Sequence, residues 1–135
     1  MAVQQIDHIG IVVANLELAI NKYCDTLGAE LDHIEDYGDG LLTIAFLPIG
    51  NVQIELIQPL KPGSSAWDFL QEHGEGIEHI AFKVDEVNKE WDRILKQKIP
   101  VNDLEPRKGA GNTMISFLHR DALCGVLGEF VCHKK

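Results

Sequence analysis

Hydrophobic positions along the chain follow two spacings, one typical of strands and one typical of helices. Residues 6–13 form an apolar, β-branched run that predicts a strand buried on at least one face. Between residues 16 and 27 the apolar positions recur three and four apart, which predicts an amphipathic helix. Asn15 can cap the start of this helix, and Gly28 can end it in the left-handed conformation.

The rest of the pattern repeats this order. The other predicted strands fall at residues 29–35, 41–48, 52–57, 77–84, 99–104, 112–118 and 125–132. A short helix capped by Ser65 and a longer helix starting near Asp85 complete the elements. The sequence PRKGAG at residues 106–111 predicts a glycine-rich loop. Each half of the chain therefore has the order strand, helix, strand, strand, strand.

The two halves also match in sequence. The segment IDHI at residues 6–9 is answered by IEHI at 77–80, and IAFL at 44–47 is answered at the same spacing by ISFL at 115–118. After a slightly longer turn, VQIE at 52–55 is answered by VLGE at 126–129. One βαβββ unit has a sheet face that it cannot cover alone, so two units side by side are predicted. The predicted fold is α+β, with two tandem βαβββ modules forming an incurved mixed sheet with helices outside.

The predicted division is a first module at residues 1–60, a connector with a short helix at 61–76, and a second module at 77–135. Together they form a single domain over residues 1–135, an ordinary size for one domain.

Charge and composition exclude several classes of protein. A formal net charge of −9 argues against nucleic acid as a partner, because phosphates require a basic surface. The sequence has no apolar run of about 18 residues and no signal-peptide pattern, so neither a membrane nor export is predicted. Its 3 cysteines show no paired spacing, which favours free thiols in a reducing cytoplasm.

The repeat carries a histidine and a glutamate in each half, at matched places. Side chains on a strand alternate between faces, so His8 and Glu55 converge if both look into the concavity of the sheet. The duplication adds His79 and Glu129. Two imidazoles and two carboxylates suit one divalent ion (Co, Zn, Ni or Mn, or Fe(II)) and leave positions open for catalysis. The other histidines have no counterpart across the repeat and are predicted to be surface residues: His33, His73, His119 and His133.

Five segments resemble the vicinal oxygen chelate superfamily, which includes glyoxalase I, methylmalonyl-CoA epimerases, ring-cleaving dioxygenases and antibiotic-binding proteins. They are IDHIGI at 6–11, IELIQP at 54–59, GEGIEHIA at 74–81, EPRKGAG at 105–111 and GVLGE at 125–129. The third and fourth are closer to the epimerase branch, so the chain is most similar to the bacterial methylmalonyl-CoA epimerases.

This resemblance implies a metal-assisted proton transfer on a CoA thioester in a homodimer, with Glu129 as both metal ligand and base. Some epimerases place a second carboxylate where this chain has Thr43, which is predicted to contact the substrate but whose hydroxyl is a poor base at neutral pH. Either another residue or a water therefore serves the second face, or the reaction is not a two-base epimerisation. Arg107 and Lys108 lie beside flexible glycines and are predicted to meet substrate carboxylate or phosphate groups. Gln53 is predicted to line the cavity.

Two other functions stay open from the sequence. Glyoxalase I also moves protons next to a metal-bound oxygen pair, and it acts on the hemithioacetal of a thiol and a ketoaldehyde. A non-catalytic binding module of the same fold is the second alternative, although antibiotic-binding relatives generally lack the metal ligands that this chain keeps.

Overall fold

The computed structural model describes residues 2–134 and divides the chain into two compact units. The first unit is His8–Glu78, and the second contains the residues from His79 onward together with those before His8. The strands are β1 Gln5–Val12, β2 His33–Tyr37, β3 Leu42–Ile49, β4 Val52–Pro59, β5 Gly76–Lys83, β6 Arg107–Gly109, β7 Thr113–Phe117 and β8 Leu127–His133. The helices are α1 Leu16–Leu27, α2 Ser65–His73 and α3 Val87–Lys96, with a 3-10 turn at Arg120–Leu123. The α+β class and the duplicated βαβββ order are confirmed.

In the first unit the strand order is β2-β3-β4-β1. β1 runs parallel to β4, whereas β2, β3 and β4 are antiparallel neighbours. Helix α1 covers one face of these strands, and its Leu16 and Ala19 pack with Leu47 and Leu56. Burying a leucine side chain contributes about 1.5–3 kcal/mol, so this contact fixes which face of each strand turns away from α1.

The second unit repeats this arrangement in the order β5-β8-β7-β6, with β5 parallel to β8. Helix α3 packs its Val87, Trp91 and Ile94 against Leu118 and Phe130. The Trp91 indole N–H donates to the carbonyl oxygen of Asp103 at 3.0 Å, so the largest core side chain keeps its polar atom paired.

Helix α1 begins and ends where the sequence predicts. The Asn15 side chain accepts the Leu18 N–H at 3.0 Å, and Gly28 adopts a φ of 69° while its N–H donates to the Cys24 carbonyl. The Gln58 side chain accepts the Leu16 N–H at 2.8 Å and so ties this helix end to β4.

Three local predictions are wrong. The edge strand predicted at 29–35 lies at His33–Tyr37, and helix α2 is capped by Ser64 instead of Ser65. The strand predicted at 99–104 is reduced to one bridge between Val101 and Leu118.

The outer strand β6 lies instead within the predicted glycine-rich loop. Pro100 and Pro106 lack the N–H that a ladder needs, which limits strand pairing before residue 107. Gly109 permits the pairing of β6, because a Cβ there would lie 2.6 Å from the Thr113 hydroxyl. Among the described residues, no helix is long and apolar enough to cross a membrane.

Candidate active site

The first unit holds a buried histidine–glutamate pair. In the β1–β4 ladder His8 lies opposite Gln53, and Gly10 lies opposite Glu55, so His8, Gln53 and Glu55 share one face. The His8 Nδ1 lies 3.1 Å from a Glu55 carboxylate oxygen, and the two residues are only 6% and 9% exposed. This face is the one turned away from α1, because Ile54 and Leu56 pack on the helix side.

The second unit holds the corresponding pair. Ala81 of β5 lies opposite Glu129 of β8, so His79, two residues before Ala81, shares the face of Glu129. A ring nitrogen of His79 and a carboxylate oxygen of Glu129 lie within 4.8 Å of each other. Both residues are buried, at 4% and 3% exposure. The matched motifs of the sequence therefore occupy matched strands and faces.

Each pair offers one imidazole nitrogen and one carboxylate oxygen in a nearly dry environment. A carboxylate withdrawn from water is unfavourable by several kcal/mol unless a positive charge or good hydrogen bonds accompany it. A divalent ion of intermediate softness accepts both donor types. The donor chemistry of each pair therefore fits a metal ion.

A phenylalanine stands next to the carboxylate in both units, with a basic side chain over its ring. In the first unit Phe46 lies opposite Glu55, and the His33 imidazole stacks on it at 4.4 Å and 3°. In the second unit Phe117 lies opposite Glu129, and the Arg107 guanidinium lies 5.6 Å from its ring centroid. Matching of residue types across the repeat missed this relation, because the basic residue is a histidine on β2 and an arginine on β6. The two also differ in register, since His33 lies opposite Phe46 and Arg107 lies opposite Ile115.

The charge on His33 is favoured by two neighbours. Its Nδ1 and Nε2 bind the carboxylates of Asp32 and Glu35, and these two hydrogen bonds raise the pKa of His33 above 6.5 against a small opposing effect of desolvation. Because the pKa of His33 is higher in the folded state than in the unfolded state, the protonated ring stabilises the fold at pH values below the unfolded pKa. That contribution is lost as the pH rises through the folded pKa.

We expect NMR titration of the His33 ring to show this raised pKa in the wild-type protein. Asp32→Asn removes the largest cause, so it lowers the His33 pKa toward 6.5 and removes part of the stability gained below that pH. Asp25→Asn, on the C-terminal half of α1, is the matched control and leaves the His33 titration unchanged. An Asp32→Asn variant with an unaltered His33 titration contradicts the assigned cause.

The structure separates the two basic residues of the glycine-rich segment. Arg107 lies opposite Ile115 and so shares a face with Phe117 and Glu129. Lys108 lies opposite Met114, which packs in the α3 core, so Lys108 belongs to the other face of β6. Arg107 is brought to the side of the His79–Glu129 pair and Lys108 is not.

The two other predicted contacts, Gln53 and Thr43, also fall on different faces. Gln53 is half-buried beside His8, and its Oε1 has no hydrogen-bond partner among residues 2–134. Thr43 lies opposite Gln58, three residues from Glu55, and its hydroxyl donates to Asp36 at 3.1 Å. It lines a groove of about 660 Å³ along the first turn of α1, on the face turned away from the His8–Glu55 pair.

Comparison with known proteins agrees with this duplicated fold. Residues 7–117 match the family model of the Glyoxalase/Bleomycin resistance protein/Dioxygenase superfamily, and the chain belongs to this family. It is 35% identical to the ethylmalonyl-CoA/methylmalonyl-CoA epimerase of Cereibacter sphaeroides, over 93% of this chain and 95% of that one.

A solved structure and a second relative complete the comparison. A variant of Streptomyces coelicolor methylmalonyl-CoA epimerase in complex with 2-nitronate-propionyl-CoA has a TM-score of 0.93 at 31% identity, covering 99% of this chain and 100% of that one. The lactoylglutathione lyase of Neisseria meningitidis serogroup A is 30% identical over 82% of this chain and 79% of that one.

Proposed function

We propose that this protein is a metal-dependent isomerase that interconverts the two epimers of methylmalonyl-CoA by proton transfer. The observation that carries the proposal is the buried histidine–glutamate pair that each unit holds at the same strand positions. Support for the substrate comes from relatives named as methylmalonyl-CoA epimerases and from a neighbour solved in complex with 2-nitronate-propionyl-CoA.

We propose that His8, Glu55, His79 and Glu129 are the ligands of one divalent ion. The supporting observations are their burial, the nitrogen–oxygen donor set in each unit and the duplication of the sequence. Such a set is compatible with Co, Zn, Ni or Mn. When bound, the ion supplies Lewis-acid stabilisation of the negative charge that develops on the thioester oxygen.

The protein's own side chains would move the proton. Glu129 accepts the α-proton of the substrate, and its burial excludes water that would compete for the same position. Gln53 lies beside His8 with an unpaired amide oxygen that can accept a hydrogen bond from substrate. Another residue or a water returns the proton to the opposite face of the substrate. Thr43 is not assigned this step, because its hydroxyl donates a hydrogen bond to Asp36 on the α1 side of the sheet.

Three further properties belong to the proposal. The protein works as a homodimer, which sedimentation at micromolar concentration would test. It acts in the reducing cytoplasm, in accord with free Cys24, Cys124 and Cys132. The first module, residues 1–60, would supply His8 and Glu55 to the metal, and the second module, residues 77–135, would supply His79 and Glu129.

The direct test is epimer formation. Metal-loaded protein is incubated with (2S)-methylmalonyl-CoA, and the 2R epimer is measured over time by a coupled mutase assay. Steady conversion that stops on chelation supports the proposal. No 2R product from metal-loaded protein would sink it.

A glyoxalase I activity is the second candidate, favoured by the similarity to a lactoylglutathione lyase. The same metal-loaded protein is given the hemithioacetal of methylglyoxal and glutathione. Turnover of the hemithioacetal without epimerisation of the CoA thioester would replace the first proposal with this one. If the protein binds methylmalonyl-CoA but turns over neither substrate, it is a binding module.

A further inference from the structure

We propose that His33 is a catalytic residue whose Nε2 returns the proton to the face of the substrate enolate that Glu129 does not serve. Asp32 is the positioning residue that holds the His33 ring for this step. The proposal rests on the function proposed above and deepens it, since it concerns the second proton transfer of the same reaction.

His33 lies in the same row of the sheet as a proposed metal ligand. In the β2–β3 ladder His33 is opposite Phe46, and in the β3–β4 ladder Phe46 is opposite Glu55, so the three side chains share one face. Neighbouring strands lie about 4.8 Å apart, which separates the backbones of His33 and Glu55 by about 10 Å. A metal ion and the acyl group that chelates it can bridge a gap of this size.

The ring of His33 is held on three sides. It stacks on Phe46 with 4.4 Å between the ring centroids and 3° between the ring planes. Its Nδ1 lies 2.5 Å from an Asp32 carboxylate oxygen, and its Nε2 lies 2.9 Å from a Glu35 carboxylate oxygen. A carboxylate that keeps the proton on one ring nitrogen leaves the other nitrogen to exchange its proton with a substrate. Asp32 has this holding role, and Glu35 holds the Nε2 proton until substrate binds.

The same two carboxylates favour the protonated ring. Hydrogen bonds to Asp32 and to Glu35 raise the pKa of His33 above 6.5. These charged groups face the ring from the segment before β2 and from β2 itself, whereas β3 presents the uncharged Phe46. A group that returns a proton at neutral pH has to carry one, which an ordinary carboxyl group does not. The His33 side chain is 43% exposed, so water can recharge the ring after each turnover.

Protons and electrons balance in this step. Glu129 takes the α-proton, and the electron pair of the broken C–H bond passes into the enolate. The Nε2–H bond of protonated His33 then breaks as a new C–H bond forms on the opposite face, which leaves a neutral imidazole and a protonated Glu129. Solvent returns a proton to His33 and takes one from Glu129, so no further reactant is consumed. In the reverse direction neutral His33 is the base and protonated Glu129 is the acid.

The second unit shows why a histidine suits this role. Its basic residue over the phenylalanine beside the glutamate is Arg107, over Phe117. A guanidinium does not lose its proton in a protein, so it cannot act as an acid or a base. An imidazole both gives and takes a proton near neutral pH, as a reaction that runs in both directions requires.

The experiment separates exchange of the α-proton from inversion at the α-carbon. Zn-loaded protein is incubated with each epimer of methylmalonyl-CoA in deuterated water. NMR measures loss of the α-proton signal, and epimer-specific enzymatic assays measure inversion. The variants are His33→Gln, which keeps a polar side chain, and His33→Phe, which keeps a ring on Phe46. His73→Gln is the matched control, because His73 also lies beside a phenylalanine and a carboxylate, but on helix α2.

In the wild type we expect exchange and inversion to occur together. In His33→Gln and in His33→Phe, inversion falls by about 10²- to 10⁴-fold, the usual contribution of a general acid or base. The epimer whose α-proton faces Glu129 still exchanges that proton at nearly the wild-type rate. A purely structural role of His33 would lower both rates together. His73→Gln leaves both rates unchanged.

Asp32→Asn tests the positioning role through the pH profile. In the direction in which His33 is the acid, inversion falls as the pH rises through the pKa of His33. Asp32→Asn lowers that pKa, so the fall in inversion moves to lower pH while the pH profile of exchange stays in place. An unmoved inversion profile overturns the role assigned to Asp32.

Unchanged inversion in His33→Gln overturns the proposal, as does inversion that His33→Phe retains or an equal loss of exchange and inversion. If the wild type neither exchanges nor inverts the thioester, the proposed function fails. NMR of the His33 ring during titration of Zn-loaded protein with methylmalonyl-CoA then tests the contact without turnover. Displaced ring signals support contact of His33 with this ligand, and unmoved signals overturn this inference as well, so the two failures are distinguishable.

Discussion

Glu129→Gln is expected to lower the rate of proton transfer by about 10²- to 10⁴-fold, the usual contribution of a general base. Glutamine has nearly the shape of glutamate but cannot accept the substrate proton. Glu129 is 3% exposed between Ala81 and Phe117 on the neighbouring strands, so a substitution that keeps the shape preserves packing. The measurement is the single-turnover rate at saturating metal, alongside the thermal midpoint of the variant.

Glu55→Gln is the matched control for this effect. It makes the same chemical change at the corresponding position of the first unit, where the carboxylate is proposed to bind metal without taking a proton. We expect weaker metal binding but a rate near that of the wild type once metal is saturating. Full activity in Glu129→Gln, or an equal loss in both variants, would contradict the assignment of the base to Glu129.

His79→Ala is expected to weaken binding of Co²⁺ by at least about 100-fold. Loss of a group that merely supports a ligand already lowers metal affinity by about 10- to 100-fold, so loss of a ligand has a larger effect. The His79 ring is buried against Phe117, and the alanine variant therefore also leaves a small cavity. Calorimetry with Co²⁺ measures the affinity, and circular dichroism confirms that the variant is folded.

His8→Ala tests the same idea from the other unit and should weaken Co²⁺ binding to a similar degree. His73→Ala is the control, because this side chain is 62% exposed at the end of α2. If either His8→Ala or His79→Ala binds Co²⁺ as tightly as the wild type, the ion is not held by the four proposed ligands.

The elements with strong periodicity were predictable from the sequence. Helix α1 has an apolar stripe, a capping asparagine and a terminal glycine, and all three signals agree on residues 16–27. The duplication identified the histidine and glutamate of each unit, because matched residues on matched strands must share a face. The distances within each pair are in accord with that inference.

The outer strands were not predictable in the same way. β2 and β6 carry few apolar positions, and β6 has only 3 residues, so their pairing depends on neighbours instead of local pattern. For this reason the sequence could not place Arg107 and Lys108 on opposite faces. Nor could it show that the Thr43 hydroxyl meets Asp36, since a shift of one residue in register reverses every face.

The surroundings of His33 were not predictable from the sequence either. Its alignment partner across the repeat is not a histidine, so comparison of residue types gave it no functional signal. Stacking on Phe46 and bonding to Asp32 and Glu35 are visible only in the folded chain.

The measurement that tests the central claim most directly is exchange of the substrate's α-proton. Metal-loaded wild-type protein is mixed with methylmalonyl-CoA in deuterated water, and loss of the α-proton signal is followed by NMR. We expect rapid exchange that requires metal and that Glu129→Gln slows by the factor given above. Absence of exchange with fully metal-loaded wild-type protein would contradict the account of a metal-assisted proton transfer.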